Sequence, residues 1–258
     1  MKQLNETQLQ ENWDKLIGVL NDTFEGERLE KLLTMYNHLQ DRMIVAPASA
    51  KEEYHNCYVG GYVNHVLHVY ENAKRVSELY VSGGGKKNWT DEELAFSALH
   101  HDLGKVGDLN EEYYVPQDND WRRKNLGEVF TYNNEIQSMR VTDRALFILQ
   151  HFGITCSLNE TMGIKCSDGL YDESNEFYLK AYDPKKSLKN SLPLIIHWAD
   201  HISTKIEFDL WKYDEEQETK KVNKSVKNIK KAVETEVDTK LSGDNAKDLF
   251  DELFGDKK

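Results

Sequence analysis

The stretch Glu93–Leu109, "ELAFSALHHDLGKVGDL", opens as an amphipathic helix and ends in chemistry. Leu94, Ala95, Ala98 and Leu99 fall at helical spacing and supply apolar faces. His100, His101, Asp102 and Lys105 then crowd the end of that helix. A charge taken out of water is costly unless it is paired or coordinates a metal. The helix end is therefore either solvated or held by something polar. Thr90, with Glu93 three residues on, has the form of a capping box and fixes where the helix begins.

Outward from this stretch, helical periodicity dominates, and the chain reads as an all-α protein. Residues from about 8 to 45 form two helices broken near Gly26, with Trp13, Leu16, Ile17 and Leu20 on one stripe and Leu29, Leu32, Leu33 and Tyr36 on the next. Pro47 stops the second. A helix from about Gly61 to Tyr80 carries Tyr62, Val66, Val69, Ala73, Val76 and Tyr80. The glycines of "SGGGKKNW" end it; this loop lacks the GxxxxGK[ST] spacing of a phosphate loop. From Gly107 to about Arg140 the periodicity weakens and aromatic residues accumulate, which suggests an irregular, lid-like insertion. Helices resume near Thr142–Phe152 and Ser157–Cys166, and a strong one follows over Ser191–Trp211, "SLPLIIHWADHISTKIEFDLW". The expected division is an N-terminal helical segment over 1–45, a core over 46–212 and a charged helical or flexible tail over 213–258.

The net charge of −12 argues against an open, non-specific nucleic-acid surface. It leaves room for a phosphorylated substrate at a metal centre, because a divalent cation reverses the local sign. No run approaches membrane-spanning length, and the start "MKQLNETQLQ" has no apolar signal region, so no membrane partner is expected. Cys57, Cys156 and Cys166 show no CxxC pairing and read as reduced thiols of a cytoplasmic protein, in the host's cytoplasm if the chain is phage-encoded.

His101 and Asp102 can reach one cation from a helix end. His65, at the edge of its helix's apolar stripe, and Asp200, inside an otherwise apolar helix, are the candidate partners. Two imidazoles and two carboxylates suit one divalent ion such as Mn, Co, Ni, Zn, Fe or Mg rather than a thiolate-preferring metal. Such an ion lowers the pKa of a bound water and polarises a phosphoryl oxygen.

The four positions together resemble the HD superfamily of metal-dependent phosphohydrolases, phage-type members included, whose pattern is H…HD…D. The match falls on His65, His101–Asp102 and Asp200, with "GGYVNHVLHV" similar to the superfamily's GG-L-x-H helix start and "HHDLGKV" to its HD-[IL]-GK extension. It covers roughly residues 46 to 210. The resemblance implies an HD-domain helical bundle that cleaves a phosphoester or phosphoanhydride of a nucleotide by attack of metal-bound water. Asp102 would be both ligand and catalytic group, and Lys105 would bind phosphate. The segment "APASAKEEYHNCYVGGYVNH" also resembles HD-type 3′–5′ exoribonucleases, although no oligonucleotide-binding β-barrel precedes the core.

Further candidates are weighed singly. Trp121, Arg122, Arg123 and Tyr132 combine phosphate-binding guanidinium groups with base-stacking rings, and as a minor packing cluster they would do neither. Binuclear superfamily members recruit extra histidines; here His151 and Asp168 are the available second-metal groups, with His151 a substrate contact otherwise. His100 is a supporting or exposed residue, His68 competes with His65, His197 and His201 flank Asp200, and His55 is a spare imidazole near the first ligand.

In the tail, Val222, Val226, Ile229 and Val233 form a stripe among lysines, a face for an acidic partner, nucleic acid or the chain's own domain. Leu249, Phe250, Leu253 and Phe254 in "NAKDLFDELFGDKK" look similar to peptides that bind sliding clamps. Alternatives to a nucleotide phosphohydrolase are an exonuclease on RNA or single-stranded DNA, a di-iron oxygenase and a non-catalytic replication-associated binding protein.

Overall fold

The computed structural model describes residues 4–214. The amphipathic spacings close into helices α1 (Glu6–Thr23), α2 (Gly26–Val45), α3 (Gly61–Ser82), α4 (Asp91–His100), α5 (Asp120–Leu126), α6 (Val141–His151), α7 (Leu158–Lys165), α8 (Glu176–Leu179) and α9 (192–214). The fold is all-α apart from one antiparallel ribbon, β1 (Tyr114–Pro116) and β2 (Phe130–Tyr132). Among the described residues, no helix is long and apolar enough to cross a membrane. By its contacts the chain divides into Met1–Trp211 and Lys212–Lys258. The tail stripe and the residues Leu249, Phe250, Leu253 and Phe254 lie outside the described residues.

Two apolar clusters organise Met1–Trp211. One gathers α1 through Trp13, Leu16 and Leu20, α2 through Leu32, Met35 and Leu39, α3 through Tyr62 and Val66, α4 through Phe96 and Leu99, and α6 through Ile148 and Leu149. Residues 6–45 thus share a core with the helices that follow. The second packs Val69, Ala73 and Val76 of α3 and Leu94 and Ala98 of α4 against Leu192, Ile195, Ile196 and Ala199 of α9. Helices α3 and α4 belong to both clusters, so their ends are fixed from two sides. Across the second, Asn72 donates to the Ser203 hydroxyl at 2.8 Å. The capping box of α4 is present in both directions, Thr90 accepting from the Glu93 amide and Glu93 from the Thr90 amide.

The insertion between Gly107 and Arg140 is more ordered than its weak periodicity suggests. Tyr114 stacks on its cross-strand partner Tyr132, ring centroids 5.7 Å apart, and Tyr113 packs edge-on to both. Cross-strand aromatic pairs of this kind hold a short ribbon together. At its root Arg42 donates to the carbonyls of Asp108, at 2.9 Å, and Glu111, and Arg144 lies over the Tyr113 ring. Farther out, the Glu52 amide donates to Gly127 O at 2.9 Å and the Val129 amide to Ala50 O at 3.0 Å. The insertion is therefore stitched to the loop that precedes α3.

Candidate metal centre

Three helices deliver the four predicted ligands to one place. Asp200 comes from α9, His65 from α3, and His101–Asp102 from the point where α4 gives way to a tight 3-10 turn over Leu103–Val106. Two glycine approaches make the convergence possible. A Cβ on Gly61 would sit 2.0 Å from Asn56 O, so only glycine lets the loop carrying His55 lie against the start of α3. A Cβ on Gly104 would sit 2.1 Å from Val141 O, so the turn after Asp102 seats directly on the start of α6.

His65 Nε2 lies 3.5 Å from Asp102 Oδ2 and 3.2 Å from Asp200 Oδ1. His101 Nε2 lies 3.5 Å and 3.7 Å from the same two oxygens. Both nitrogens are fully buried and make no hydrogen bond; their contacts with the two carboxylates are ion-pair contacts only. Buried polar atoms without partners are rare and need a reason. A tetrahedral or octahedral ion with bonds of about 2.0–2.2 Å holds neighbouring donor atoms about 3.0–3.5 Å apart. The four contacts fall close to that spacing, so the donor set fits a metal ion.

The far nitrogens of both rings are already committed. His101 Nδ1 donates to Ala98 O at 2.8 Å. His65 Nδ1 donates to Glu207 Oε2 at 3.0 Å, and His68 Nδ1 donates to the other oxygen of Glu207 at 2.9 Å. A metal-binding histidine characteristically gives its second N–H to a carbonyl or carboxylate, which fixes the ring and leaves the other nitrogen's lone pair for the ion. His68 is thus a brace for Glu207, not a rival to His65. Sequence reasoning missed Glu207. Its signal was the spacing: Glu207 follows Asp200 by seven residues, two helical turns, on the same face of α9.

The electrostatics belong to a site built for positive charge. Burial disfavours protonation of His65, but Glu207 and Asp200 outweigh it and lift its pKa to about 9. Burial likewise opposes the charge on His101, yet Asp102 and Asp200 raise it to about 10. Burial works against ionised Glu207 too, and His65 and His68 overcome it and hold the carboxyl down at about 2. Against the pull of burial, Lys105, His101 and His65 lower Asp102, and His101 and His65 lower Asp200. Without an ion, the two raised rings and Lys105 face the three carboxylates Asp102, Asp200 and Glu207.

Lys105, at the end of the 3-10 turn, puts Nζ 2.7 Å from Asp102 Oδ2 and 3.4 Å from His55 Nε2. Burial would strip its charge, but Asp102 keeps it protonated. His55 extends the donor set: His55, His65 and Asp102 each offer an atom within 4.8 Å of the others, as do His65, His101 and Asp200. Burial and then Lys105 push His55 down to about 3, so its ring is neutral.

The other predicted residues sit elsewhere. Arg122 donates through Nε to Glu128 Oε2 at 2.6 Å, and Arg123 pairs with Asp120. Trp121 and Tyr132 are exposed, Tyr132 stacking on Tyr114. His151 is exposed at the end of α6, beside Phe147 and Phe152. None of these five lines the cleft beside Asp200, which Asp168 does. Among the described residues, neither His151 nor Asp168 joins a metal-holding group. His100 is buried rather than exposed: it donates to Phe96 O at 2.7 Å, meets the Tyr36 hydroxyl at 3.3 Å, and burial lowers it to about 3. His197 Nδ1 donates to Ser167 O at 2.9 Å, and His201 stacks on Tyr171. No protein-family model, no curated protein and no solved structure matches this chain.

Proposed function

We propose that this chain is an HD-type metal-dependent phosphohydrolase that cleaves a phosphoester or phosphoanhydride of a nucleotide. The observation that carries the reading is the pair of buried, partnerless Nε2 atoms of His65 and His101, each facing both Asp102 and Asp200. His65, His101, Asp102 and Asp200 would hold one divalent ion, of the series Mn, Co, Ni, Zn, Fe or Mg. When bound, that ion supplies Lewis-acid polarisation of a phosphoryl oxygen and a water of lowered pKa.

The chain's own groups do the rest. Lys105 is held protonated by Asp102 and gives the site a fixed cation for a phosphoryl oxygen. By the resemblance, Asp102, besides ligating, would take a proton from the attacking water. Glu207 and Ala98 O hold the two imidazoles in one orientation. In the reaction a water oxygen bonds to phosphorus as the phosphorus–oxygen bond to the leaving group breaks. One water proton ends on the leaving alcohol or phosphate, and the other stays with the new phosphate oxygen.

The test is metal analysis of the purified full chain followed by a panel of nucleotides and short oligonucleotides with Mn, Co or Mg. About one metal ion per chain and phosphate release from nucleotides are expected. Cleavage confined to oligonucleotides would make it a nuclease. Turnover only with iron and oxygen would replace hydrolysis with oxygenation.

A further inference from the structure

A cleft of about 580 Å³ opens beside Asp200. That volume lies within the usual range for small-molecule sites. Its walls come from the loop before α3, from the turn after α7 and from one face of α9. Three aromatic rings line it: Tyr54, Tyr171 and Phe208. Tyr171 is 77% exposed, although a tyrosine ring is large enough to be worth burying. One face of that ring stacks on His201, centroids 5.8 Å apart and planes 24° from parallel, so the other face is left uncovered.

The turn that carries Tyr171 is fixed from several sides. Gly169, at φ +56°, packs against the His197 ring, where a Cβ would lie 2.2 Å from a ring carbon. Asn175 donates to Gly169 O at 3.1 Å, and Arg140 donates to Asp172 at 2.7 Å. The stacked pair is thus a preformed platform for a planar ring, held within the same cleft as a metal ligand.

The charges lining the cleft orient the phosphate. Lys205 is its one cation among the described residues, set against Glu53, Asp168 and Asp200. Lys105, at the metal centre, is already matched to Asp102. A divalent ion at the adjoining His65, His101, Asp102 and Asp200 would be the main positive charge for a phosphoryl group there. We infer that the cleft takes a nucleotide, its base stacked on the Tyr171–His201 pair and a phosphoryl group at the Asp200 end. This rests on the phosphohydrolase reading and moves base recognition from the insertion, with Trp121 and Tyr132, to the turn after α7 and the His201 face of α9.

The experiment uses the full chain loaded with Mn²⁺, and compares nucleoside 5′-monophosphates with ribose 5-phosphate in two readouts, phosphate release and equilibrium binding. Tyr171→Ala should raise KM and Kd for the nucleotides at least about tenfold, the loss of one stacked base, and leave ribose 5-phosphate unchanged. Tyr171→Phe, which keeps the ring, should behave as wild type. Trp121→Ala should change neither substrate. Equal use of nucleotide and ribose 5-phosphate by the wild type, an unaffected Tyr171→Ala, or a loss in Trp121→Ala instead would overturn the inference. If no phosphate is released from anything, the hydrolase reading fails. Nucleotide binding that is lost in Tyr171→Ala would then still support the cleft, and absent binding would end it.

Discussion

The metal centre and the insertion are both rich in groups that suit phosphate chemistry, and they use them in opposite ways. In the insertion, Arg122 and Arg123 find Glu128 and Asp120 within their own short segment. At the candidate metal centre, four groups from three helices meet, and two of their nitrogens face carboxylates without a hydrogen bond. Residue type is the same kind of information in both places. What separates them is satisfaction: a surface arginine is easily neutralised by a neighbour at little cost. A buried nitrogen pointed at carboxylates is completed by a proton or by a metal ion. The insertion has a different office, since its backbone bonds from Gly127 and Val129 to Glu52 and Ala50 brace the loop on which His55 stands.

The contrast breaks most visibly at the ligands. His101→Ala should take bound metal from about one ion per chain to none, read by elemental analysis, whereas alanine at Arg122 and Arg123 should leave it intact. Retained metal in His101→Ala would dissolve the distinction. Next in size is Gly61→Ala, whose Cβ meets the Asn56 carbonyl. It should destabilise the fold by about 2–3 kcal/mol in urea unfolding, because a backbone atom cannot step aside as a side chain can.

Glu207→Gln keeps the shape but weakens the grip on His65 Nδ1. Metal affinity should fall about 10- to 100-fold with an unchanged circular dichroism spectrum. A pH series sharpens the picture further. Because the metal-free His65 and His101 titrate at about 9 and about 10, an ion must displace their protons at neutral pH. Affinity should therefore rise steadily from pH 6 to pH 8, with proton release seen as buffer-dependent heat in calorimetry. In the metal-free chain the same raised values stabilise the fold most below the unfolded histidine value of about 6.5. That contribution is lost as pH rises through 9 and 10, so the thermal midpoint should fall there unless metal is bound. The smallest effect belongs to Arg122→Ala, which should change nucleotide KM by less than about twofold, its guanidinium being occupied by Glu128.

The α-helical framework was legible in the chain because each helix announces itself locally. Thr90 and Glu93 cap α4, Gly26 separates α1 from α2, and Leu192, Ile195, Ile196 and Ala199 mark the face that α9 buries. The candidate ligands were legible by type and by pattern. The insertion's ribbon was not, since three-residue strands joined by stacked tyrosines leave too short an alternation to read. Glu207 passed unnoticed because an acidic residue on a helix usually faces water. Only the packing of α9 on α3 shows it buried between two histidines.

Local spacing, caps and glycines thus determined by themselves that this protein is helical, where its helices begin, and which side chains are candidates for chemistry. They act over a few residues, and the chain alone records them. Which candidates meet was decided by tertiary structure. His65, Asp102 and the Asp200–Glu207 face of α9 are far apart in sequence, and only the two shared cores of α3 and α4 bring them together. The same packing withdrew Arg122, Arg123 and His151 from the cleft and put Tyr171 there.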